Sequence, residues 1–376
     1  MKKRILLIFG TRPEAIKMAL LVKLFKQETC FTTKVCVTAQ HRQMLDQVLD
    51  FFDIRPDYDL DLMRPNQDLF SLTSEIISKL KPILIDYHPD FVFVHGDTTT
   101  STCAALASFY AGCKICHVEA GLRTNNKFAP YPEEMNRQLT GRLADLHFSP
   151  TNAAKENLIK ENIQSDTIFV TGNTVIDALL YSVDKLNKEN DTIIFDNIES
   201  VCDPGKDIIL VTGHRRENFG DGFVNICQAL RTIAENDAKI QIIYPVHFNP
   251  NVRKPVLDIL GGIDNIQLID PLDYPSFVWL MNKSKLIITD SGGVQEEAPS
   301  LGKPVLVMRE TTERPEAVKA GTVILVGTDK DKIISKTLEL LNNEKLYESM
   351  SAINNPYGDG TACQQIINIM KGKTNE

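Results

Sequence analysis

The sequence predicts two α/β domains, each built on a doubly wound parallel sheet. Its 376 residues are enough for two domains, because one domain usually holds about 100–200 residues. Short apolar or β-branched segments alternate with helical segments from end to end. This alternation stops once, between Asn187 and Lys206, where Asp, Asn, Pro and Gly interrupt it, and then resumes. Alternating strands and helices form βαβ units, in which helices cover both faces of the sheet.

The first half of the chain predicts six strands and five helices. Apolar and β-branched runs predict the strands Arg4–Phe9, Lys34–Thr38, Asp90–His95, Lys114–Val118, Leu146–Ser149 and Thr167–Val170. Helical patterns between them predict the helices Pro13–Gln27, His41–Phe52, Asp68–Tyr87, Thr99–Tyr110 and Asn152–Glu161.

The second half repeats this pattern with helices between its strands. The predicted strands are Asp207–Thr212, Ile240–Pro245, Ile266–Ile269, Leu286–Thr289, Val305–Met308 and Thr322–Val326. We place the first domain at 1–172 and the second at 173–356, with the boundary within 170–206.

The composition limits the classes of partner. Lys and Arg total 41 against 49 Asp and Glu, which gives a net charge of −8. A nucleic-acid binder needs a basic face, so this balance argues against that class, while a local pocket can still bind a small anion. No apolar run approaches the roughly 20 residues that span a bilayer. The apolar start, Ile5–Phe9, is short and is followed at once by charged residues, so we expect a cytoplasmic protein without a signal peptide.

The cysteines and histidines give little sign of a metal site. Eight cysteines are scattered along the chain, and Cys113 and Cys116 form one C-x-x-C pair without a second cluster. Residues three apart on a strand face opposite sides, so we expect packed free thiols. His95 and Asp97 supply at most half of a metal site, and we expect no metal.

Acidic residues follow the predicted strands of the first domain. Asp97 and Glu119 each come directly after a strand, and a further pair, Glu133 and Glu134, follows later. Ligands of open α/β sheets bind beyond the carboxyl ends of the strands, where such carboxylates can act as acid or base. The structural alternative makes Asp97 the N-cap of the next helix and pairs Glu119 with Arg123.

Positive charge follows the first strand. Gly10 allows a tight turn, and Arg12 and Lys17 lie near a helix N-terminus, which favours anions. The segment matches neither a P-loop nor a dinucleotide-binding glycine motif. The alternative is an ordinary turn with solvated cations.

A glycine pair follows a strand of the second domain. Gly292 and Gly293 let backbone N–H groups approach a phosphate, and Ser291 can cap the helix or donate to an oxygen. Glu297 would repel phosphate and suits neutral hydroxyls such as those of a ribose. The alternative is a capped helix start with two turn glycines.

Further cationic residues stand at strand ends of the second domain. His214 can move protons or bind phosphate, and Arg215, beside a second arginine, can clamp phosphate oxygens. His247 follows another strand, and Arg314 can pair with phosphate or with Glu297. The alternative for these segments is a run of solvated charges.

Eight long motifs occur in a fixed order along nearly the whole chain. They are Phe9–Met18, Thr38–Asp46, Val94–Thr99, His117–Arg123, Pro132–Glu134, Thr171–Asp177, Asp290–Pro299 and Thr312–Glu316. With these motifs the chain resembles the bacterial non-hydrolysing UDP-N-acetylglucosamine 2-epimerases. The resemblance implies two Rossmann-like domains facing a central cleft, as in B-type glycosyltransferases. It also implies a homodimer and a final helix, about 357–376, that packs back on the first domain.

Matching positions imply the site residues. The implied catalytic candidates are Asp97, Glu119, Glu133 and His214. The implied contacts with a UDP-sugar are Arg12, Lys17, Phe277, Ser291, Gly292, Gly293, Glu297 and Arg314. We add Arg215 and His247 because of their positions at strand ends.

Some members of this family bind a second UDP-N-acetylglucosamine as an activator. The segment that holds Gln40, His41 and Gln43 matches that region, so the resemblance implies an allosteric site there. Asn66 stands where an activator-contacting Arg is expected, and Leu272 where several relatives have Gln. These departures leave activation, and a side-chain contact at position 272, open.

The resemblance implies reversible epimerisation of UDP-N-acetylglucosamine to UDP-N-acetylmannosamine for surface polysaccharide precursors. The reaction eliminates UDP through 2-acetamidoglucal and adds it back, and it uses no cofactor. Cations stabilise the departing diphosphate and carboxylates move the proton, although the sequence does not divide acid from base. The alternatives are epimerisation of another UDP-2-acetamido sugar, a hydrolysing epimerase that releases N-acetylmannosamine, a glycosyltransferase, and a non-catalytic nucleotide-sugar sensor.

Overall fold

The protein consists of two compact units. The computed structural model describes residues 2–39, 42–62, 64, 67–189 and 198–373. The first unit comprises Met1–Ala178 and Tyr357–Glu376, and the second comprises Leu179–Pro356. Each unit contains one parallel sheet with helices along it, which confirms the predicted pair of doubly wound α/β domains.

The first unit is built on seven strands. These are β1 (Lys3–Phe9), β2 (Phe31–Val37), β3 (Tyr58–Asp59), β4 (Phe91–His95), β5 (Lys114–Val118), β6 (Leu146–Ser149) and β7 (Ile168–Val170). Its helices are α1 (Arg12–Gln27), α2 (Arg42–Phe51), α3 (Leu69–Tyr87), α4 (Thr99–Tyr110), α5 (Glu133–Leu143) and α6 (Asn152–Lys160), and α7 (Thr174–Glu189) runs across the unit boundary. All strands pair in parallel in the order β3-β2-β1-β4-β5-β6-β7.

The second unit is built on six strands. These are β8 (Asp207–Thr212), β9 (Ile240–Pro245), β10 (Ile266–Ile269), β11 (Leu286–Thr289), β12 (Val305–Val307) and β13 (Val323–Leu325). Its helices are α8 (Asp221–Asn236), α9 (Pro250–Leu260), α10 (Tyr274–Lys283), α11 (Gly292–Glu297), α12 (Pro315–Ala320), α13 (Lys330–Asn342) and α14 (Glu344–Ser351). The strands pair in parallel in the order β10-β9-β8-β11-β12-β13.

Burial explains why the strands were predictable. The segment Ile5–Phe9 of β1 is fully buried, as are most apolar residues of the central strands, because helices cover both faces of each sheet. Strand β2 begins three residues before the predicted start, since Thr32 and Thr33 pair with β1 despite their polarity. Strand β3 was not predicted, because two residues are too few to show a period.

The end of the chain returns to the first unit. Helix α15 (Ala362–Gly372) packs against α1, and the carboxylate of Asp177 accepts hydrogen bonds from the backbone N–H groups of Ala362 and Cys363 at 3.2 and 2.7 Å. Among the described helices, none is both long enough and apolar enough to cross a membrane.

Candidate active site

The turn between β1 and α1 is closed by Glu14. Thr11 caps α1, and the Oε2 atom of Glu14 accepts hydrogen bonds from the backbone N–H groups of Gly10 and Thr11 at 3.0 and 2.8 Å. Gly10 is required here for space, because an added Cβ would lie 1.8 Å from Oγ1 of Thr38. Arg12 is the first residue of α1, and Lys17 lies further along the same helix.

Glu14 also connects this turn to the turn after β4. Its Oε1 atom accepts hydrogen bonds from the hydroxyls of Thr98 and Ser101 at 2.6 and 3.1 Å. Thr98, not Asp97, caps α4, because its hydroxyl accepts from the backbone N–H of Ser101 at 3.0 Å. Asp97 is therefore not used as the helix cap.

Glu119 lies in a buried cluster of charged side chains. Both carboxylate oxygens are 2.8 Å from Nζ of Lys17, and Oε2 is 2.9 Å from Nε2 of His95. Burial raises the pKa of Glu119, but the charges and hydrogen bonds of Lys17 and His95 outweigh it and hold the pKa well below its ordinary value. Arg123, the alternative partner, pairs with Glu161 at 2.6 Å instead.

The backbone and a neighbouring amide fix the position of Glu119. Its φ of 62° is left-handed, which costs about 1–3 kcal/mol for a residue other than glycine and is typical of functional sites. Nδ2 of Asn173 donates to Oε1 of Glu119 at 3.4 Å, and the backbone N–H of Asn173 donates to the carbonyl of Tyr357 at 2.7 Å. The Glu119 carboxylate is therefore held both by Lys17 and His95 and by Asn173.

Asp97 pairs with Arg137, a residue that no sequence motif indicated. The guanidinium of Arg137 contacts Oδ2 of Asp97 and lies 3.3 Å from Oε2 of Glu134. Glu134 is buried and accepts from the backbone N–H groups of Thr124 and Asn125, so it shapes the loop before α5. Its neighbour Glu133 is half-buried and has no side-chain hydrogen bond within the described residues.

In the second unit, Asp290 organises the loop after β8. This fully buried residue accepts, at Oδ2, hydrogen bonds from the backbone N–H groups of His214 and Arg215, both at 2.8 Å. Nδ2 of Asn218 donates to the same oxygen at 3.4 Å. The sequence motif drew attention to the glycines after Asp290 and not to Asp290 itself.

His214 and His247 lie together. Their rings stack with centroids 5.4 Å apart and planes 17° apart, and Nδ1 of His214 is 3.6 Å from Oδ1 of Asp290. Burial lowers the pKa of His214, Asp290 raises it, and the charges of Arg215 and His247 lower it, so that the net shift is downward. His214 is therefore mainly neutral near pH 7.

The predicted phosphate ligands surround the start of α11. Ser291 occupies the N-cap position without a side-chain cap bond, and its N–H donates to Oγ1 of Thr289 at 2.9 Å. Nε of Arg314 lies 2.6 Å from Oε1 of Glu296, whereas the sequence suggested Glu297. The guanidinium lies 3.6 Å from the position of a Cβ added to Gly292, which brings Arg314 to the glycine pair.

The remaining predicted ligand-contacting residues of this unit are Phe277, Glu297 and Arg215. Phe277 is half-buried in α10, and Glu297 is buried at the end of α11. Burial, and next the charge of Glu297, raise the pKa of Tyr274. Arg215 is half-buried, and its Nε atom has no hydrogen-bond partner in the described part of the chain.

The cysteines and the predicted allosteric residues complete the set of candidate residues. All eight cysteines are free thiols, and within the described part of the chain no three His, Cys, Asp or Glu side chains form a group that could hold a metal ion. Gln40 and His41 lie outside the described residues, as does the side chain of Gln43.

Comparison with known proteins identifies the family. The family model for UDP-N-acetylglucosamine 2-epimerase matches residues 23–371. A Campylobacter jejuni protein of that name is 58% identical over 382 residues, which cover 100% of both chains. The structure of UDP-GlcNAc 2-epimerase from Neisseria meningitidis bound to UDP-GlcNAc is similar with a TM-score of 0.90 and 50% identity, over 98% of this chain and 100% of that one. The S. aureus MnaA–UDP structure gives a TM-score of 0.85 and 49% identity, over 99% and 97%.

These matches extend over the same two parallel-sheet units and confirm the resemblance seen in the motifs. The chain therefore belongs to the UDP-N-acetylglucosamine 2-epimerase family of isomerases.

Proposed function

We propose that this protein reversibly inverts carbon 2 of UDP-N-acetylglucosamine to give UDP-N-acetylmannosamine. The observation that carries the proposal is the buried Glu119–Lys17 pair after β5, in a chain 58% identical to a protein named for this activity. The N. meningitidis relative was solved with UDP-GlcNAc and the S. aureus relative with UDP, which supports the same substrate class here.

The reaction proceeds by elimination and re-addition. The hydrogen on carbon 2 is not next to a carbonyl, so its direct removal as a proton is very difficult. Loss of this proton together with UDP breaks the C–H and anomeric C–O bonds and leaves 2-acetamidoglucal. UDP then re-forms the C–O bond while a proton reaches carbon 2 from the opposite face. Atoms and charge balance without an added oxidant or reductant.

The first unit supplies the proton-transfer groups. We assign this role to Asp97 and Glu119, which follow strands, and to Glu133 at the start of α5, because carboxylates can accept and donate protons. The low pKa of Glu119 keeps it ionised near neutral pH, which is the form that can accept a proton or stabilise positive charge. Arg12 and Lys17 add positive charge on the same unit.

The second unit supplies the groups that bind UDP. We assign the diphosphate to Arg215, Arg314 and the Ser291–Gly293 turn, with His214 and His247 beside it, because charge develops on the leaving diphosphate. Glu297 suits the ribose hydroxyls, since a carboxylate accepts hydrogen bonds from them. Phe277 is assigned to the nucleotide-sugar as an apolar contact.

The proposal includes a cellular setting. We infer a cytoplasmic homodimer that supplies a surface polysaccharide precursor, and an activator site at Gln40, His41 and Gln43. Light scattering of the purified protein tests the dimer. Initial rates that rise more steeply than hyperbolically with UDP-N-acetylglucosamine would support activation, and hyperbolic kinetics would contradict it.

The decisive experiment follows the sugar in D₂O. Purified protein is incubated with UDP-N-acetylglucosamine, and proton NMR is expected to show UDP-N-acetylmannosamine with deuterium at carbon 2. Asp97→Asn and Glu119→Gln are expected to slow deuterium entry by at least about 100-fold, within the range for general acid–base groups. Glu235→Gln, a change at an exposed helix residue, serves as the control.

Each alternative has its own signature in this experiment. Free N-acetylmannosamine with UDP would indicate a hydrolysing epimerase, and an unchanged sugar would indicate a sensor or a transferase that lacks its acceptor. Conversion of another UDP-2-acetamido sugar, but not of UDP-N-acetylglucosamine, would show that the other sugar is the substrate. Deuterium entry at the normal rate in both carboxylate variants would refute their assigned roles.

A further inference from the structure

Asp290 has one satisfied and one unsatisfied carboxylate oxygen. Its Oδ2 atom receives three hydrogen bonds, from the backbone N–H groups of His214 and Arg215 and from the amide of Asn218. Its Oδ1 atom is buried and has no hydrogen-bond partner among the residues that the structure describes. A buried carboxylate oxygen without a donor is costly, so this arrangement calls for an explanation.

The polar group beside Oδ1 of Asp290 is the imidazole of His214. Its Nδ1 atom is 3.6 Å from Oδ1 of Asp290, slightly more than a hydrogen-bond distance. Catalytic hydrogen bonds are often long before substrate binds. The His214 side chain is 46% exposed, so its second ring nitrogen, Nε2, is left for a ligand.

The stacked partner restricts the ring plane of His214. His247 lies against it at 5.4 Å, and the backbone N–H of Asn249 donates to Nδ1 of His247 at 3.1 Å. This bond keeps the proton of a neutral His247 on its own Nε2 atom. The titratable and charged groups that face His214 within the described part of the chain are Asp290, Arg215 and His247, and Asp290 is the acidic one among them.

We propose that Asp290 is a positioning residue that accepts a hydrogen bond from Nδ1–H of His214 and confines proton gain and loss to Nε2. Neutral His214 then presents a bare Nε2 acceptor, and protonated His214 presents an Nε2–H donor to a phosphate oxygen. Asp290 orients the ring as the carboxylate of a catalytic triad orients its histidine. The consequence for turnover rests on the proposed function.

The substitution Asp290→Asn reverses this geometry without removing the loop anchor. Two backbone N–H groups donate to the Oδ2 position, so the amide oxygen must occupy it. The NH₂ group then occupies the Oδ1 position and donates to Nδ1 of His214. That nitrogen can no longer carry the proton, and the neutral ring is forced into the Nε2–H tautomer.

The test combines NMR and kinetics on the full-length protein. With ¹⁵N-labelled histidine at pH 8, long-range ¹⁵N–¹H spectra report which nitrogen of His214 carries the proton, and His214→Gln assigns the signals. We expect Nδ1–H in the unmodified protein and Nε2–H in Asp290→Asn. We also expect kcat to fall by at least about 100-fold in that variant, with KM for UDP-N-acetylglucosamine changed less than about threefold.

Asp329→Asn is the matched control. Asp329 is exposed and caps α13, where Asn serves about as well as Asp, so both the tautomer and kcat should stay unchanged. The Nε2–H tautomer in the unmodified protein would overturn the proposal even if Asp290→Asn failed to fold. The same tautomer in both folded proteins would overturn it as well.

The tautomer and the turnover answer separate questions. A reversed tautomer with unchanged kcat would refute the catalytic consequence of the positioning. Absence of any UDP-N-acetylglucosamine turnover by the unmodified protein would refute the proposed function, while the NMR spectra would still decide the role of Asp290.

Discussion

Both carboxylate oxygens of Glu119 lie 2.8 Å from the Nζ atom of Lys17, although 102 positions separate the two residues in the chain. Lys17 lies on α1 and Glu119 directly after β5, so the pair forms only when the sheet has assembled. The pair is largely shielded from water, with 14% and 6% of the two side chains exposed. An ion pair in this setting has large consequences when one partner is removed.

Lys17→Met should destabilise the first unit in a pH-dependent way. We expect the free energy of unfolding at pH 7 to fall by about 3–5 kcal/mol, because an ionised Glu119 stays buried without its main counter-charge. The control Lys336→Met removes one partner of an exposed pair and should cost about 0–1 kcal/mol. Thermal and urea unfolding followed by circular dichroism measures both.

The sign of the pH dependence follows from the lowered pKa of Glu119. Its stabilising contribution is present above the unfolded-state pKa and is lost as pH falls through the lower folded-state value. In Lys17→Met the pKa of Glu119 rises, so the carboxyl takes up a proton at higher pH and the deficit relative to the unmodified protein shrinks toward pH 5. An equal deficit at pH 7 and pH 5 would argue against this account.

Arg137→Met should impair catalysis by releasing Asp97. Arg137 holds Asp97 and Glu134 together, and a misplacement of a catalytic group by about 1 Å can cost roughly 100-fold in rate. We therefore expect kcat to fall by about that factor. Arg142→Met, at an exposed position of the same helix, removes the same charge and should leave kcat unchanged. Equal kinetics of the two variants would contradict the role of Arg137.

Two glycine substitutions should affect different properties, one the stability of the fold and the other the binding of UDP. Gly10→Ala places a methyl group against the buried Thr38–Thr100 pair and should destabilise the fold by about 1–3 kcal/mol.

In Gly293→Ala the added methyl group meets nothing closer than 3.9 Å, so the fold should be unaffected. Its methyl group should nevertheless hinder approach of a phosphate, and we expect the Kd for UDP to rise about tenfold, or about 1.4 kcal/mol. Calorimetric titration with UDP and thermal unfolding distinguish these effects, and unchanged UDP affinity in Gly293→Ala would remove that turn from the binding site.

Asp177→Ala should loosen the terminal helix α15. The Asp177 carboxylate accepts two backbone N–H groups at the start of this helix, and its loss leaves them unsatisfied in a buried position. We expect faster amide hydrogen exchange across Ala362–Gly372. Asp359→Ala removes an exposed carboxylate at the same helix start and should change exchange much less. Similar exchange in both variants would show that Asp177 does not anchor the helix.

The local pattern of the sequence determined the two parallel sheets and the family. Apolar runs predicted most strands to within a residue, because the buried strands of a doubly wound sheet are apolar on both faces. Motifs directly after those strands pointed to Glu119, His214 and Ser291, since the carboxyl ends of parallel strands are where such sheets bind ligands.

Only the tertiary structure decided which charges pair. Lys17, and not the nearby Arg123, pairs with Glu119, Arg137 reaches Asp97 across 40 positions, and Asp290 reaches the backbone of His214 across 76. Strand order brings these residues together, and a sequence pattern gives no direct measure of strand order. The choice of partner is a matter of distance and burial, both of which arise when the sheets assemble.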